Sequence, residues 1–184
     1  VDTGPIQERV YAQYAGLGWI GKNTCLIHPE QGSWFFLSEI ITSLSLEVDT
    51  PQLDLCGTCT LCLEACPTEA LREPGVLDST RCLSYLTIEL RGPIPELRRP
   101  DLGSHVYGCD ICQDVCPYNA DPITSDDPVW QPRPAFERPS LVSLWNREDV
   151  DLDQELSNSA MSRAGVVGLR RNVATALGNT GDVE

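Results

Sequence analysis

Cysteine is the residue type in this sequence whose spacing most clearly indicates chemistry. Nine of the 184 residues are cysteine, and eight of them lie between Cys56 and Cys116. The first group reads Cys-x2-Cys-x2-Cys-x3-Cys-Pro and the second reads Cys-x2-Cys-x3-Cys-Pro, with Cys82 between them. This spacing indicates iron–sulfur chemistry, because thiolates three residues apart in a tight turn can reach neighbouring corners of one cubane cluster.

The last cysteine of each group is expected to serve a different cluster from the others in its group. A helix carries this cysteine away from the turn, and the following proline marks the point of departure. The spacing therefore predicts two four-iron clusters with crossed ligation. We assign cluster one to Cys56, Cys59, Cys62 and Cys116, and cluster two to Cys66, Cys82, Cys109 and Cys112.

Two other uses of these cysteines remain open at this stage. Zinc can take two Cys-x2-Cys pairs, but a single tetrahedral site has no use for three ligands in one turn and a fourth pointing away. Disulfides are disfavoured, because short Cys-x2-Cys loops gain little entropy from closure and the expected compartment is reducing. A segment with two four-iron clusters transfers single electrons, and taken alone it would be a ferredoxin-type electron carrier.

The overall composition excludes some classes of protein. The sequence is 41% hydrophobic and 22% charged, which is typical of a soluble globular chain. Its formal net charge of −14 argues against a protein that coats nucleic acid through bulk charge. No apolar run is long enough to span a membrane, so we expect a cytoplasmic protein without membrane contact. The chain begins without methionine, and we read it as part of a longer protein.

Helices and strands can be predicted around the cysteine segment. A short helix is expected at about 6–16, followed by a glycine-punctuated turn and by buried strands at 25–27 and within 33–46. The proline-rich stretch 117–139 predicts an extended connection, and two short helices should follow, ending at Gly178-Asn179. The inserted segment 83–108 is expected to be either a site of substrate or cofactor contact or a solvated connection.

Several single residues have an ordinary structural interpretation. Cys25 is expected to be a buried free cysteine, with a redox thiol as the alternative. His28 lies in an ordinary His-Pro turn, and both His28 and His105 are expected to be structural. Trp19 and Trp34 are expected in the core.

Several segments of the sequence together resemble the epoxyqueuosine reductase family. The resemblance covers nearly the whole chain and rests on several segments together: Asp2-Thr3-Gly4-Pro5, Ala15 to Asn23 (AGLGWIGKN), Gly32-Ser33 through Thr42, the Cys56–Cys66 run, Tyr107 to Pro117 (YGCDICQDVCP) and Leu169-Arg170-Arg171-Asn172. The cysteine pattern alone would also admit a corrinoid reductive dehalogenase or a bare ferredoxin-type module. The resembling family reduces the epoxide of epoxyqueuosine in the tRNA anticodon loop, using cobalamin and two 4Fe-4S clusters.

The resemblance implies an α+β architecture in three parts. Residues 1–50 would be the C-terminal part of an α/β cobalamin-binding domain, and 51–120 a ferredoxin-like two-cluster domain. A proline-rich linker over 121–150 would lead to a short HEAT-like helical tail at 151–184.

The resemblance also implies particular site residues. Asp2 would be the proton donor beside cobalamin, since it matches the family's general acid in the Asp-Thr-Gly-Pro motif. The corrin contacts would fall on Leu26, Leu37, Ser84 and Gly108, although core packing is the alternative for the two leucines.

The implied partners are the tRNA anticodon stem-loop and an unidentified low-potential electron donor. We expect a monomer. The candidate phosphate contacts are the pairs Arg98-Arg99 and Arg170-Arg171, whose alternative role is surface solubility.

Overall fold

The computed structural model of the chain describes residues 5–181 and is a mixture of helices and short strands. The α-helices are α1 (Glu8–Tyr14), α2 (Leu61–Ala65), α3 (Ile111–Asp114), α4 (Leu141–Trp145), α5 (Asp149–Leu156) and α6 (Gly165–Thr180). The strands are β1 (Trp19–Ile20), β2 (Leu26–Ile27), β3 (Leu71–Glu73) and β4 (Val76–Leu77), in two antiparallel pairs, β1–β2 and β3–β4. The mixed α and β content agrees with the predicted class.

The chain divides into two compact units, and neither is continuous in sequence. The first contains the residues up to Leu77 together with Asp110–Thr124. The second contains Asp78–Cys109 together with the residues from Ser125 onward. The cysteine segment therefore contributes to both units.

The first unit begins with α1 and the β1–β2 hairpin. Helix α1 confirms the predicted helix at 6–16, although it is shorter at both ends. In the hairpin, Trp19 pairs with Ile27, and a turn closed by the bond from the Thr24 N–H to the Gly21 carbonyl (2.9 Å) joins the strands. Gly18 must lack a side chain, because a Cβ at that position would overlap the backbone carbonyl of Ile27.

The buried strands predicted within 33–46 are wrong. This stretch forms no strand among the described residues, and most of its large apolar side chains face solvent, including Phe36 (85% exposed) and Ile40 (90% exposed). Strand backbone needs a neighbour for its hydrogen bonds, and β1 and β2 pair only with each other. The prediction for Trp34 is also wrong, since its side chain is 39% exposed, whereas Trp19 is buried as expected.

The second unit has a helical core. Two apolar clusters fill it: Leu83, Leu86, Ile94 and Leu102 form one, and Leu144, Leu152, Leu156, Leu169 and Val173 form the other. The inserted segment 83–108 is thus largely a packed part of this unit, and it contains a π-helical turn at Tyr85–Glu89.

Helices α5 and α6 confirm the two helices predicted after Leu141, but the structure adds α4, which begins at Leu141, and the predicted end point is wrong. Helix α6 runs through Gly178-Asn179 to Thr180. Gly181, with φ of 73°, provides the left-handed residue that ends α6, so the stop lies three residues later than predicted.

The stretch 121–150 contains regular structure. It holds short 3₁₀ turns at Pro128–Trp130 and Pro134–Phe136, and helix α4 falls within it, so the extended part ends before Leu141. Within the described part of the chain, no helix is both long and apolar enough to cross a membrane.

Candidate iron–sulfur site

The four cysteines assigned to cluster one line a single cavity in the first unit. Cys56 and Cys59 lie in the loop before α2, Cys62 lies on α2, and Cys116 follows α3. The cavity has a volume of about 250 Å³. Its remaining wall is mostly apolar: Lys22, Asn23, Ile27, Leu55, Leu61, Pro117 and Tyr118. The structure thus brings together the set that the crossed-ligation hypothesis proposed, including the sequence-distant Cys116.

A buried indole contacts this site from the β1–β2 hairpin. Trp19 is 1% exposed, and its Nε1–H donates to the Sγ of Cys56 at 3.3 Å. Its ring meets Tyr118 edge to face, with centroids 4.8 Å apart, and the Tyr118 hydroxyl donates to the Leu55 carbonyl at 3.2 Å. The indole orientation is therefore held by contacts with two residues of the cavity wall.

The turn of the same hairpin holds both cysteine loops of the first unit. The Nζ of Lys22 donates to the carbonyls of Gly57 (2.7 Å) and Cys59 (2.8 Å). The buried Asn23 donates from Nδ2 to the Cys112 carbonyl at 3.2 Å, and its Oδ1 accepts the Cys25 N–H. The sequence analysis recognised this segment as a turn and as part of the family resemblance, but it did not assign Lys22 or Asn23 to the cysteine loops. Lys22 is the single lysine of the chain, and that was the one signal that could have drawn attention to it.

A second hydrogen-bonded group fixes the end of the cysteine segment. The buried Asn119 accepts the Ser33 N–H at 2.7 Å and donates to the Gln113 carbonyl at 2.8 Å and to the Ser33 hydroxyl at 2.9 Å. Gly32 permits this close approach, because a Cβ there would overlap Asn119 Oδ1 and its φ is 68°. The group positions the chain directly after Cys116.

The cysteines assigned to cluster two belong to both units, and each has its own local support. In the first unit, Cys66 Sγ accepts the Ala70 N–H at 3.2 Å and lies 3.6 Å from the Thr68 hydroxyl. In the second unit, the Ser84 hydroxyl donates to the Cys109 carbonyl at 3.2 Å, and Cys82 ends the 3₁₀ turn Ser79–Arg81.

The thiols of the first unit differ in acidity because their surroundings differ. Burial, together with the neighbouring thiols Cys112 and Cys56, raises the pKa of Cys62, and burial also raises the pKa of Cys116. Burial acts to raise the pKa of Cys66 as well, but hydrogen bonds from Thr68 and from nearby backbone N–H groups outweigh it and lower that pKa.

Cys25 is half-buried and contacts a predicted cluster ligand, which differs from the expected fully buried cysteine. A side-chain hydrogen bond with Cys112 lowers the pKa of the Cys25 thiol and raises the pKa of Cys112, to which burial also contributes. Cys25 is therefore a neighbour of the cysteine loops rather than a strand residue remote from them.

The donor set fits a multinuclear cluster. Cys56, Cys59, Cys62 and Cys116 surround a shared cavity. This arrangement suits a cubane, in which each thiolate ligates a different iron, whereas a zinc site needs four ligands at bonding distance from one ion.

The residues implied for cobalamin contact are placed as follows. Asp2 lies outside the described residues. In the first unit Leu26 is only 3% exposed, so its side chain packs within the protein, while Leu37 is half-buried. In the second unit Ser84 and Gly108 are half-buried, and the Gly108 N–H donates to the Thr87 hydroxyl at 3.0 Å.

Both histidines have the expected structural role. His28 Nδ1 accepts the backbone N–H groups of Glu30 (3.1 Å) and Gln31 (3.2 Å), which stabilises the turn after β2. His105 Nδ1 lies 3.0 Å from the Leu102 carbonyl.

The interpretation of Arg170 and Arg171 as phosphate contacts is wrong. Arg171 donates to the carbonyls of Leu86 (2.8 Å), Leu90 (2.5 Å) and Gly92 (2.8 Å), and burial lowers the pKa of its guanidinium. Arg170 donates to Asp149 and to backbone carbonyls at the end of α4, with its guanidinium over the Trp145 ring. Their donors are occupied within the second unit, so they anchor α6.

The pair Arg98-Arg99 is also engaged locally. Arg98 forms an ion pair with Asp101 at 3.2 Å, and Arg99 donates to the Ile94 carbonyl at 3.1 Å. The side chain of Arg99 is nevertheless 46% exposed, so this residue retains surface that a partner could contact.

Comparisons with known proteins support an iron–sulfur domain at these cysteines. A family model described as a 4Fe-4S double cluster binding domain matches residues 55–119. An epoxyqueuosine reductase of Gloeobacter violaceus is 47% identical across 99% of this chain and 59% of the relative. A solved epoxyqueuosine reductase with an epoxyqueuosine-modified tRNA-Tyr stem loop is 38% identical, with a TM-score of 0.93 over 100% of this chain and 48% of that one. An epoxyqueuosine reductase from Bacillus subtilis, with an aspartate catalytic loop swung out of the active site, is 37% identical, with a TM-score of 0.92 over 98% of this chain and 48% of that one.

The cysteine loops and the matching family model define the class of protein, which is one with a 4Fe-4S double-cluster domain. The resemblance to the epoxyqueuosine reductase family is confirmed, and the chain is a relative of those enzymes by sequence and by structure over nearly its whole length. It spans about half to three fifths of the length of the relatives it matches.

Proposed function

We propose that this chain takes part in the reduction of epoxyqueuosine to queuosine in the anticodon loop of tRNA. The observation that carries the proposal is the match, over the whole chain, to an epoxyqueuosine reductase with a modified tRNA stem loop. The reaction converts an epoxide to an alkene, consumes two electrons and two protons, and releases water. It therefore needs a supply of single electrons, a group able to attack carbon, and a proton donor.

The electron supply is assigned to two 4Fe-4S clusters with crossed ligation. Cys56, Cys59, Cys62 and Cys116 would hold cluster one, and Cys66, Cys82, Cys109 and Cys112 would hold cluster two. The cavity shared by the first four supports cluster one. The matching double-cluster model, which extends over all eight cysteines, supports both clusters.

Cobalamin is the cofactor assigned to the carbon centre, and when bound it would supply a cobalt able to attack carbon. The assignment of corrin contacts to Leu26, Leu37, Ser84 and Gly108 rests on the family resemblance.

The partners follow from the same proposal. A tRNA anticodon stem-loop would be the substrate, an unidentified low-potential electron donor would supply the electrons, and the protein would act as a cytoplasmic monomer. With Arg170 and Arg171 engaged internally, RNA binding would depend on shape and on few exposed cations such as Arg99.

Crossed ligation can be tested by replacing one cysteine. In the anaerobically reconstituted chain, Cys116→Ser should damage the cluster held by Cys56, Cys59 and Cys62, as measured by iron content and by the electron paramagnetic resonance signals of the two reduced clusters. Cys25→Ser removes the one cysteine outside the proposed ligand set, so it is the matched control and should retain the signal of cluster one. If Cys116→Ser abolishes the signal that Cys109→Ser also abolishes, and spares the one lost in Cys59→Ser, the crossed assignment is incorrect.

Asp2 is proposed as the proton donor. Asp2→Asn in the enzyme that contains this chain should reduce turnover of an epoxyqueuosine stem-loop by at least about 100-fold, which is a typical contribution of general acid catalysis. Loss of the epoxide oxygen is followed by mass spectrometry of the RNA. The exposed Asp121 provides the control, since Asp121→Asn should leave the rate unchanged. Undiminished turnover in Asp2→Asn would show that another group supplies the proton.

A further inference from the structure

Two hydrogen-bond donors from outside the cysteine segment contact the loop that carries Cys56 and Cys59. The first is the indole of Trp19, which is buried and donates to Cys56 Sγ at 3.3 Å. A buried indole N–H needs a partner, and here that partner is a predicted iron ligand. The edge-to-face contact with Tyr118 and the pairing of β1 with β2 hold the indole in place.

The second donor is the ammonium of Lys22, three residues later in the same hairpin. It contacts the carbonyls of Gly57 and Cys59, at 2.7 Å and 2.8 Å, on the loop that carries the first two ligands. The side chain is half-buried and lines the cavity. A positive charge therefore lies against the cluster-binding loop, in surroundings where solvent screens it less than at an open surface.

Both contacts favour the reduced form of a cluster in this cavity. Reduction adds one electron, and much of the added negative charge falls on the cluster and ligand sulfurs. An N–H directed at a ligand sulfur stabilises that charge, and so does a nearby cation. Hydrogen bonds to the sulfurs and local charge are among the factors that set the potential of iron–sulfur clusters.

We propose that Trp19 and Lys22 are positioning residues that raise the reduction potential of the cluster at Cys56, Cys59, Cys62 and Cys116. The inference rests on the proposed presence of that cluster. A low-potential one-electron donor supplies the electron, and no bond is made or broken at either residue. The hairpin would thus make the reduced form of cluster one more stable than it would be without these two donors.

The test is a redox titration of the anaerobically reconstituted chain followed by electron paramagnetic resonance. Cys59→Ser identifies the signal of cluster one. Trp19→Phe keeps the ring and removes the N–H, whereas Lys22→Met keeps the length of the side chain and removes the charge. Each variant should lower the equilibrium constant for reduction of cluster one about tenfold, which equals a shift of about 59 mV to more negative potential. The potential of the other cluster should not move.

Two matched variants control for structural damage. Trp34→Phe alters an exposed indole and should leave both potentials unchanged. Lys22→Arg retains the positive charge, so the potential of cluster one should stay close to the wild-type value and should not shift as it does in Lys22→Met. A Trp19→Phe variant that fails to retain iron would give the indole a structural role and overturn its part of the inference, while the comparison of Lys22→Met with Lys22→Arg would still decide the role of Lys22.

The inference is overturned if the iron-loaded variants keep the wild-type potential, or if both clusters shift equally. It is also overturned if Lys22→Arg shifts as far as Lys22→Met. Absence of both cluster signals from the reconstituted wild-type chain would be a different result, because it would contradict the proposed clusters themselves.

Discussion

Adjacent residues of the β1–β2 turn contact different cysteine loops. Lys22 contacts the loop of Cys56 and Cys59, while Asn23 contacts the Cys112 carbonyl. The Asn23 amide is buried, so its hydrogen bonds are worth more than those of an exposed side chain, and loss of the amide would leave polar backbone groups unpaired. The side chains of Lys22 and Asn23 therefore fix the positions of the two predicted ligand loops relative to the β1–β2 turn.

We therefore expect Asn23→Ala to lower the free energy of unfolding by about 1–3 kcal/mol. The Cys112 carbonyl and the Cys25 N–H would lose their partner, and iron should be released faster to a chelator. Urea denaturation and the rate of iron release measure the two effects. Asn146→Ala, at an exposed helix end, should change neither; equal behaviour of the two variants would rule out the bridging role of Asn23.

Helix α6 is anchored by polar side chains as well as by its apolar residues Leu169 and Val173. Asn172 is fully buried and donates to the carbonyls of Thr87 (2.7 Å) and Val106 (2.8 Å), while Arg171 contacts three further carbonyls. These bonds satisfy backbone groups around the π-helical turn Tyr85–Glu89, which would otherwise be buried without partners. At this scale, the Arg-Arg-Asn motif organises the second unit.

The two glycines at the end of α6 should respond in opposite directions to alanine. Gly178 lies within the helix with open space around it, so Gly178→Ala should stabilise the protein by up to about 1 kcal/mol. Gly181 adopts φ of 73°, so Gly181→Ala should destabilise it by about 1 kcal/mol. Urea unfolding of both variants tests the helix end, and destabilisation by Gly178→Ala would mean that α6 ends earlier, as the sequence pattern suggested.

For the molecule as a whole, the two units should differ in their dependence on iron. The first unit is built from elements of two to seven residues, and the cysteine loops join them. The second unit has two apolar clusters and a 16-residue helix. Short elements with little apolar burial are stable only with additional links, and metal clusters provide such links when binding is coupled to folding.

Removal of iron by an anaerobic chelator should therefore affect the units unequally. Amides in 55–66 and 111–119 should exchange hydrogen more than about tenfold faster, which equals about 1.4 kcal/mol of local opening free energy. The amides of α6 should keep their protection. Hydrogen exchange measured by mass spectrometry tests this, and uniform loss of protection across both units would show that they unfold together.

The sequence alone was enough for the class of chemistry, because cysteine spacing within a turn limits which metal groups can be bound. It also predicted α1, because local periodicity indicates a helix, and the buried Trp19, although the same burial preference gave the wrong prediction for Trp34. Other features depend on contacts between residues that are distant in the sequence, and these were seen only in the tertiary structure. It brought Cys116 to the cavity of Cys56, left 33–46 without a strand neighbour, and turned Arg171 inward to carbonyls 80 or so residues away in the chain. Hydrogen bonds between remote segments leave no local periodicity in a sequence, and only the folded chain shows which donor meets which acceptor.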